Sequence, residues 1–197
     1  MIISPSIASA NPLILEEEVK RLGNGTYRDF HIDIEDGNFI PNITFGFKTI
    51  RALRMITDVP FSFHLMVNRP QDYLEEVLCL NPSIIFAHVE ALDYIGDFLE
   101  RVHKHGVKAG LAFNPKTAVE SYLYALGEAD GVLIMTSEPD GRGQQFIPNM
   151  IKKVKAISRL DLSLQVWVDG GITSERLDLL KEAGATHVVM GRQIFSE

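Results

Sequence analysis

Two histidines and two aspartates stand near the ends of β-rich runs. His31-Ile32-Asp33-Ile34 closes one run, Phe63-His64-Leu65-Met66 sets a histidine inside another, and Val168-Asp169-Gly170-Gly171 closes a third. Side chains two apart on a strand share a face. His31 and Asp33 therefore point one way, and Ile32 and Ile34 point the other way, toward a helix layer. Two imidazoles and two carboxylates brought together make a four-ligand set for a divalent ion, zinc first, with Fe²⁺, Co²⁺ or Mn²⁺ also suited. Singly, each such residue is more often a hydrogen-bonded structural group. Jointly they point to a metal, because burying two carboxylates without a cation or hydrogen-bond partners costs several kcal/mol each. His88 and Glu90 form a second i, i+2 pair, read as standing behind the four or in the core. His103, His105 and His187 fall on a helix end or a strand start and read as solvated or structural.

Glycine-rich segments supply a second chemistry. Met135-Thr136-Ser137-Glu138-Pro139-Asp140-Gly141-Arg142-Gly143-Gln144 follows the sixth β-rich run, Asp169-Gly170-Gly171 the seventh, and Gly191-Arg192 the eighth. Glycines let backbone N–H groups close on an anion, and Arg192 adds a charged fork. One such loop is an ordinary turn. Three on one face point to a phosphate group.

These residues need a frame. The pattern predicts strands over Ile2–Ala8, Asp29–Ile34, Val59–Met66, Ser83–Val89, Val107–Phe113, Gly131–Met135, Leu164–Val168 and His187–Met190. Between them it predicts helices from about Pro12, with Asn11 as N-cap and Gly23 and Gly25 closing, then over Lys48–Ile56, Pro70–Leu80, Tyr94–His105, Thr117–Gly127, Pro148–Arg159 and Ser174–Gly184. Alternating strands and helices imply parallel βαβ units. Eight units of about 24 residues suit a compact (β/α)8 TIM barrel, one α/β domain over residues 1–197, whose eighth helix is short or missing. Chemistry in such a barrel sits at the C-terminal ends of the strands, where the four ligands and the glycine loops fall. An open doubly wound sheet is the competing fold. It wants a glycine fingerprint after the first strand, and Ser4-Pro5-Ser6 is not one.

Composition narrows the function. Of 197 residues, 46% are hydrophobic and 23% charged, enough apolar material for a core. Lys plus Arg number 19 against 26 Asp plus Glu, so the net charge is −7, which argues against a nucleic-acid binder. Cys79 is the single cysteine, which excludes an intrachain disulfide and a thiolate zinc cluster and fits a reducing, cytoplasmic setting. The first residues lack the basic start of a signal peptide, and no apolar run is long enough to span a membrane.

Longer motifs carry a resemblance. S-P-S-I-A, H-I-D-I-E-D-G-N-F-I-P-N-I-T-F-G, F-H-L-M-V, H-V-E-A, I-M-T-S-E-P-D-G-R-G-Q-Q-F-I-P and V-D-G-G-I occur in that order from Ser4 to about Phe195. Together they resemble the ribulose-phosphate 3-epimerase family and its allulose-phosphate epimerase relatives. The resemblance implies a ribulose-phosphate binding barrel, one divalent metal per subunit, a phosphorylated ketose as substrate, and a homo-oligomer, dimer or hexamer. It places the metal ligands at His31, Asp33, His64 and Asp169, the proton acceptor at Asp33 and the proton donor at Asp169. Substrate contacts fall on Ser6 and His64, an apolar cap on Met66 and Met135, and phosphate-binding segments on Gly141, Gly143, Gly170, Gly171, Gly191 and Arg192.

Some positions depart from the family's pattern. Glu35 stands where the family has a methionine of the apolar cap. Asp140 and Arg142 alter the phosphate loop, and Arg192 replaces a serine. These changes touch the pocket and spare the four ligands, so they bear on which ketose is taken more than on the reaction. The expected reaction is inversion at C3 of a 2-ketose phosphate through an enediolate. One carboxylate removes a proton and the other returns one to the opposite face. A barrel that binds a sugar phosphate without turnover is the alternative, supported by Glu35 and Asp140. A metal-free decarboxylase-type site would want a lysine–aspartate array at strand ends, which Lys20, Lys48 and Lys108 do not make.

Overall fold

The computed structural model describes residues 1–140, 144–160 and 162–195. Eight parallel strands run β1 (Ile2–Pro5), β2 (Phe30–Glu35), β3 (Phe61–Met66), β4 (Pro82–His88), β5 (Lys108–Phe113), β6 (Gly131–Met135), β7 (Gln165–Asp169) and β8 (His187–Met190). Helices α1 (Leu15–Leu22), α2 (Phe47–Arg54), α3 (Leu74–Leu78), α4 (Ile95–His103), α5 (Leu123–Leu126), α6 (Met150–Ser158), α7 (Leu177–Glu182) and α8 (Arg192–Phe195) alternate with them. Strand order β1-β8-β7-β6-β5-β4-β3-β2 follows the chain around a ring, which rejects the doubly wound sheet. Among the described residues, the seam between β1 and β2 closes through the bridge Ser6–His31, and His31 is itself one of the expected ligands.

Period-two burial explains the layering. Ile32, Ile34, Phe63, Leu65, Ile85 and Leu111 face outward into a continuous core under the helices. Ile84, Phe86, Ala112, Leu133, Met135, Trp167 and Val189 form a second, smaller core. Each fully buried large apolar side chain contributes about 1.5–3 kcal/mol. Gly110 makes room for this packing: a Cβ there would lie 2.2 Å from the Phe86 ring. Register then sets the site, with Asp33 opposite His64 and Met135 opposite Asp169.

Several expected bounds move. The pattern predicts a first strand reaching Ala8, but β1 ends at Pro5, and Ile7–Ser9 winds into a 3₁₀ turn held by Ser9 N–H to Ser6 O (3.1 Å). The chain must leave the barrel rim there, although its apolar pattern continues. Four helices begin as 3₁₀ turns (Pro12–Ile14, Pro70–Asp72, Val119–Tyr122, Ser174–Arg176), so their α segments are shorter than the periodicity predicts. Near α1, the Asn11 side chain caps the Pro12–Ile14 turn by accepting from Leu13 N–H at 3.0 Å. The short eighth helix is a single turn, α8, with Ile194 N–H bonded to Gly191 O at 2.8 Å.

Candidate metal centre and cavity

β2 brings His31 and Asp33, β3 brings His64, and β7 ends on Asp169; all four side chains are buried. Each offers one ligand atom, and these atoms lie within 4.8 Å of one another. His31 Nε2 is 3.5 Å from Asp33 Oδ1, and His64 Nδ1 is 3.3 Å from Asp33 Oδ1 and 3.5 Å from Asp169 Oδ2. These are convergences without hydrogen bonds, because His31 Nε2, Asp33 Oδ1 and His64 Nδ1 are buried and have no hydrogen-bond partner among the described residues. Leaving such atoms unpaired costs about 1–3 kcal/mol each. Two orphaned nitrogens and one orphaned carboxylate oxygen, with the Asp169 carboxylate beside them, fit a divalent ion.

The remaining atoms of the ligands are tied down. Ser6 Oγ donates to Asp33 Oδ2 at 2.6 Å. Thr136 N–H donates to the Asp169 carbonyl at 2.5 Å, and Thr136 Oγ1 lies 2.9 Å from it and 2.7 Å from the Gly170 carbonyl, pinning the end of β7 to β6. His31 Nδ1 lies 2.9 Å from Ser62 Oγ, and that hydroxyl donates to Asp29 Oδ2. A hydroxyl has one proton. With it committed to Asp29, Ser62 accepts from His31 Nδ1–H, and the Nε2 lone pair faces the cluster. His64 Nε2 lies 2.9 Å from His88 Nε2, and His88 Nδ1 is 3.1 Å from Glu90 Oε2.

Charge states follow from these neighbours. Burial pushes the Asp33 carboxyl up, but the His31 and His64 rings and the Ser6 hydroxyl outweigh it and hold it at about 2. For His64, burial lowers the ring, while Asp169 and Asp33 raise it to about 9. Burial holds His31 below its usual value and His88 at about 4. Asp29 is pushed up to about 6 by burial, against hydrogen bonds from Ser62 and Ser83. Glu35 rises to about 7 through burial and then the Asp33 charge, although Asn42 Nδ2 donates to it at 2.6 Å.

A cavity of about 960 Å³ opens above the cluster. Asp33, Asp169 and Ser6 reach its wall, together with Gly170, Gly171, Gly191 and Arg192. Met66, Met135 and His64 are buried and are not among the described residues on that wall. Gly141 and Gly143 lie outside the described residues. Glu35 lines the cavity and does not turn outward.

Sequence reasoning missed three contributors. Arg176 lines the cavity, stacks 4.7 Å over Phe146 and donates to Thr173 Oγ1 at 3.0 Å. No local pattern distinguishes it from any helix-start arginine. Asp29 and Ser62 were legible in principle, since each precedes a ligand by two residues and so shares its face. Among the other histidines, His103 pairs with Asp130 at 2.7 Å and His187 stacks on Trp167 at 4.1 Å, as structural residues do.

The chain matches the ribulose-phosphate 3-epimerase family over residues 2–195. It is similar to the ribulose-phosphate 3-epimerase of Bacillus subtilis, 34% identical over 200 residues that cover 99% of this chain and 92% of the relative. The enzyme of that name from Chlamydia pneumoniae is 36% identical, over 99% of this chain and 88% of its own length. Solved structures share the fold at low identity. The tryptophan synthase α-subunit of Pyrococcus furiosus superposes with a TM-score of 0.70 at 16% identity, covering 97% of this chain and 86% of that one. The phosphoribosyl anthranilate isomerase of Thermococcus kodakaraensis gives 0.68 at 14%, covering 97% and 88%.

Proposed function

Since the chain belongs to the ribulose-phosphate 3-epimerase family, whose members are carbohydrate epimerases, we propose that it inverts C3 of a phosphorylated 2-ketose, converting D-ribulose 5-phosphate or a close analogue to the 3-epimer, D-xylulose 5-phosphate or its counterpart. The observation that carries this reading is the meeting of two carboxylates from separate strands, Asp33 and Asp169, in one buried cluster on the cavity wall.

Epimerisation needs a proton taken from a carbon beside a carbonyl and one returned to the opposite face. Two acids holding one proton between them suffice, one acting as base while the other acts as acid. We assign these roles to Asp33 as acceptor and Asp169 as donor, reversed in the back reaction. Ser6 holds Asp33 Oδ2, which fixes the carboxylate plane during both transfers. His31, Asp33, His64 and Asp169 would hold a divalent ion, zinc being the first choice for this donor set, and bound there it would supply Lewis-acid stabilisation of negative charge developing on the substrate. The phosphate grip falls to the backbone of Gly170, Gly171 and Gly191 with Arg192 and Arg176, all of which line the cavity. Binding energy gathered there holds C3 in register away from the reacting atoms. Glu35, on the wall beside Asn42, supports a ketose with a hydroxyl to meet it and argues against an apolar cap at that point. A reducing, cytoplasmic homo-oligomer completes the reading; sedimentation tests the assembly.

The test is a panel of pentulose and hexulose phosphates, scored for C3 epimer formation and for uptake of deuterium at C3, with and without chelator. One ketose phosphate should epimerise, and chelator should stop it. Metal-replete protein that epimerises none of the panel overturns the proposal and leaves a sugar-phosphate-binding barrel.

A further inference from the structure

We propose that Glu90 and His88 are positioning residues that set which ring nitrogen of His64 keeps a proton, and so how tightly the centre holds a metal. The inference rests on the metal reading above and extends it to residues that touch neither the cavity ligands' open side nor substrate.

The hydrogen bonds fix a direction. Glu90 Oε1 receives two donors from the segment after β5, Asn114 N–H at 2.9 Å and Thr117 Oγ1. That segment is itself clamped, because Lys153 Nζ donates to the carbonyls of Asn114 (3.0 Å), Pro115 (2.9 Å) and Thr117 (2.8 Å). Glu90 Oε2 is left to accept from His88 Nδ1–H at 3.1 Å. A neutral imidazole with its proton on Nδ1 presents a lone pair at Nε2. His64 must therefore donate from Nε2 across the 2.9 Å contact, which makes Nδ1, aimed at Asp33 and Asp169, the nitrogen that would give up its proton to a metal. Both His64 and His88 are fully buried, their rings meet edge to edge with centroids 5.0 Å apart, and Phe39 covers His88 at 4.7 Å, so neither imidazole can look to water for another partner.

Glu90→Gln reverses the direction at constant shape. A backbone N–H cannot become an acceptor, so Asn114 keeps the amide oxygen and the amide NH₂ faces His88 Nδ1. His88 then carries its proton on Nε2 and opposes the Nε2–H of His64. Relief comes when His64 gives up Nε2–H and keeps its proton on Nδ1, the atom that would bind metal.

Two measurements test this on the full chain. Zinc affinity is read by competition with a chromophoric chelator, and the ring protonation of His64 and His88 by long-range ¹H–¹⁵N correlation of zinc-loaded, ¹⁵N-histidine-labelled protein. Expected are a zinc affinity about 10–100-fold weaker in Glu90→Gln, and a His88 proton on Nδ1 in the wild type that moves to Nε2 in the variant. A purely structural role would leave that proton where it was. Wild-type affinity in a folded Glu90→Gln protein overturns the relay alone. A wild-type His88 protonated on Nε2 also overturns it, with no variant needed. Wild-type protein that takes up no zinc overturns the metal reading itself and the relay with it.

Discussion

Gly171→Ala should damage substrate use more than its effect on folding would suggest. Gly171 has φ +67°, and an added Cβ would lie 2.5 Å from both Gln144 O and Phe146 N. Ordinary contact begins at 3.4 Å, so the segment after β6 and the turn after β7 must part by about 0.9 Å. The left-handed backbone adds about 1–2 kcal/mol of strain for an L-residue, and overpacking adds about 1–3 kcal/mol. Stability should fall by about 2–5 kcal/mol, lowering the melting temperature by about 4–20 °C. Both parted segments line the cavity on the side assigned to phosphate. A misplacement near 1 Å costs about 100-fold in rate, so kcat/KM for the ketose phosphate should fall by that order while zinc content holds. Gly25→Ala is the control: its φ is +94°, yet nothing lies within 4 Å of the added Cβ. It should lose stability through strain and keep its kcat/KM. Wild-type kcat/KM in Gly171→Ala, or equal losses in both variants, would refute the phosphate assignment.

Three further outcomes are expected. Asp33→Asn and Asp169→Asn should each abolish exchange of the C3 proton with deuterated water, followed by NMR, while the circular dichroism melt persists; wild-type-like exchange in either would sink the two-carboxylate scheme. Zinc at 100 times its dissociation constant should stabilise the native protein by about 2.7 kcal/mol, seen as a rise in melting temperature that chelator reverses and Asp169→Asn abolishes. Burial, then Lys108 and the chain amino terminus, hold His187 down at about 4. Its neutral ring stabilises the fold above about pH 6.5, and this contribution is lost as pH falls toward 4. His187→Phe should flatten that dependence, and an NMR titration placing His187 near 6.5 would contradict it.

The sequence by itself determined the barrel and the convergence of His31, Asp33, His64 and Asp169. Strand burial has period two, and a polar side chain interrupting an apolar strand must be matched by others across the barrel. β6 and β8 have the bounds read from sequence because loop residues bracket both of them. β1 was read too long because Ile7 is as buried in a turn at the rim as it would be in a strand. The hydrogen-bond partner of each cluster histidine was decided only by tertiary structure. Ser62 on β3 speaks for His31 on β2, and His88 on β4 speaks for His64 on β3. Arg176 reached the cavity the same way, through a stack on Phe146 thirty residues earlier. Such partners meet across neighbouring strands and loops, where register and twist set the distances and no local spacing records them.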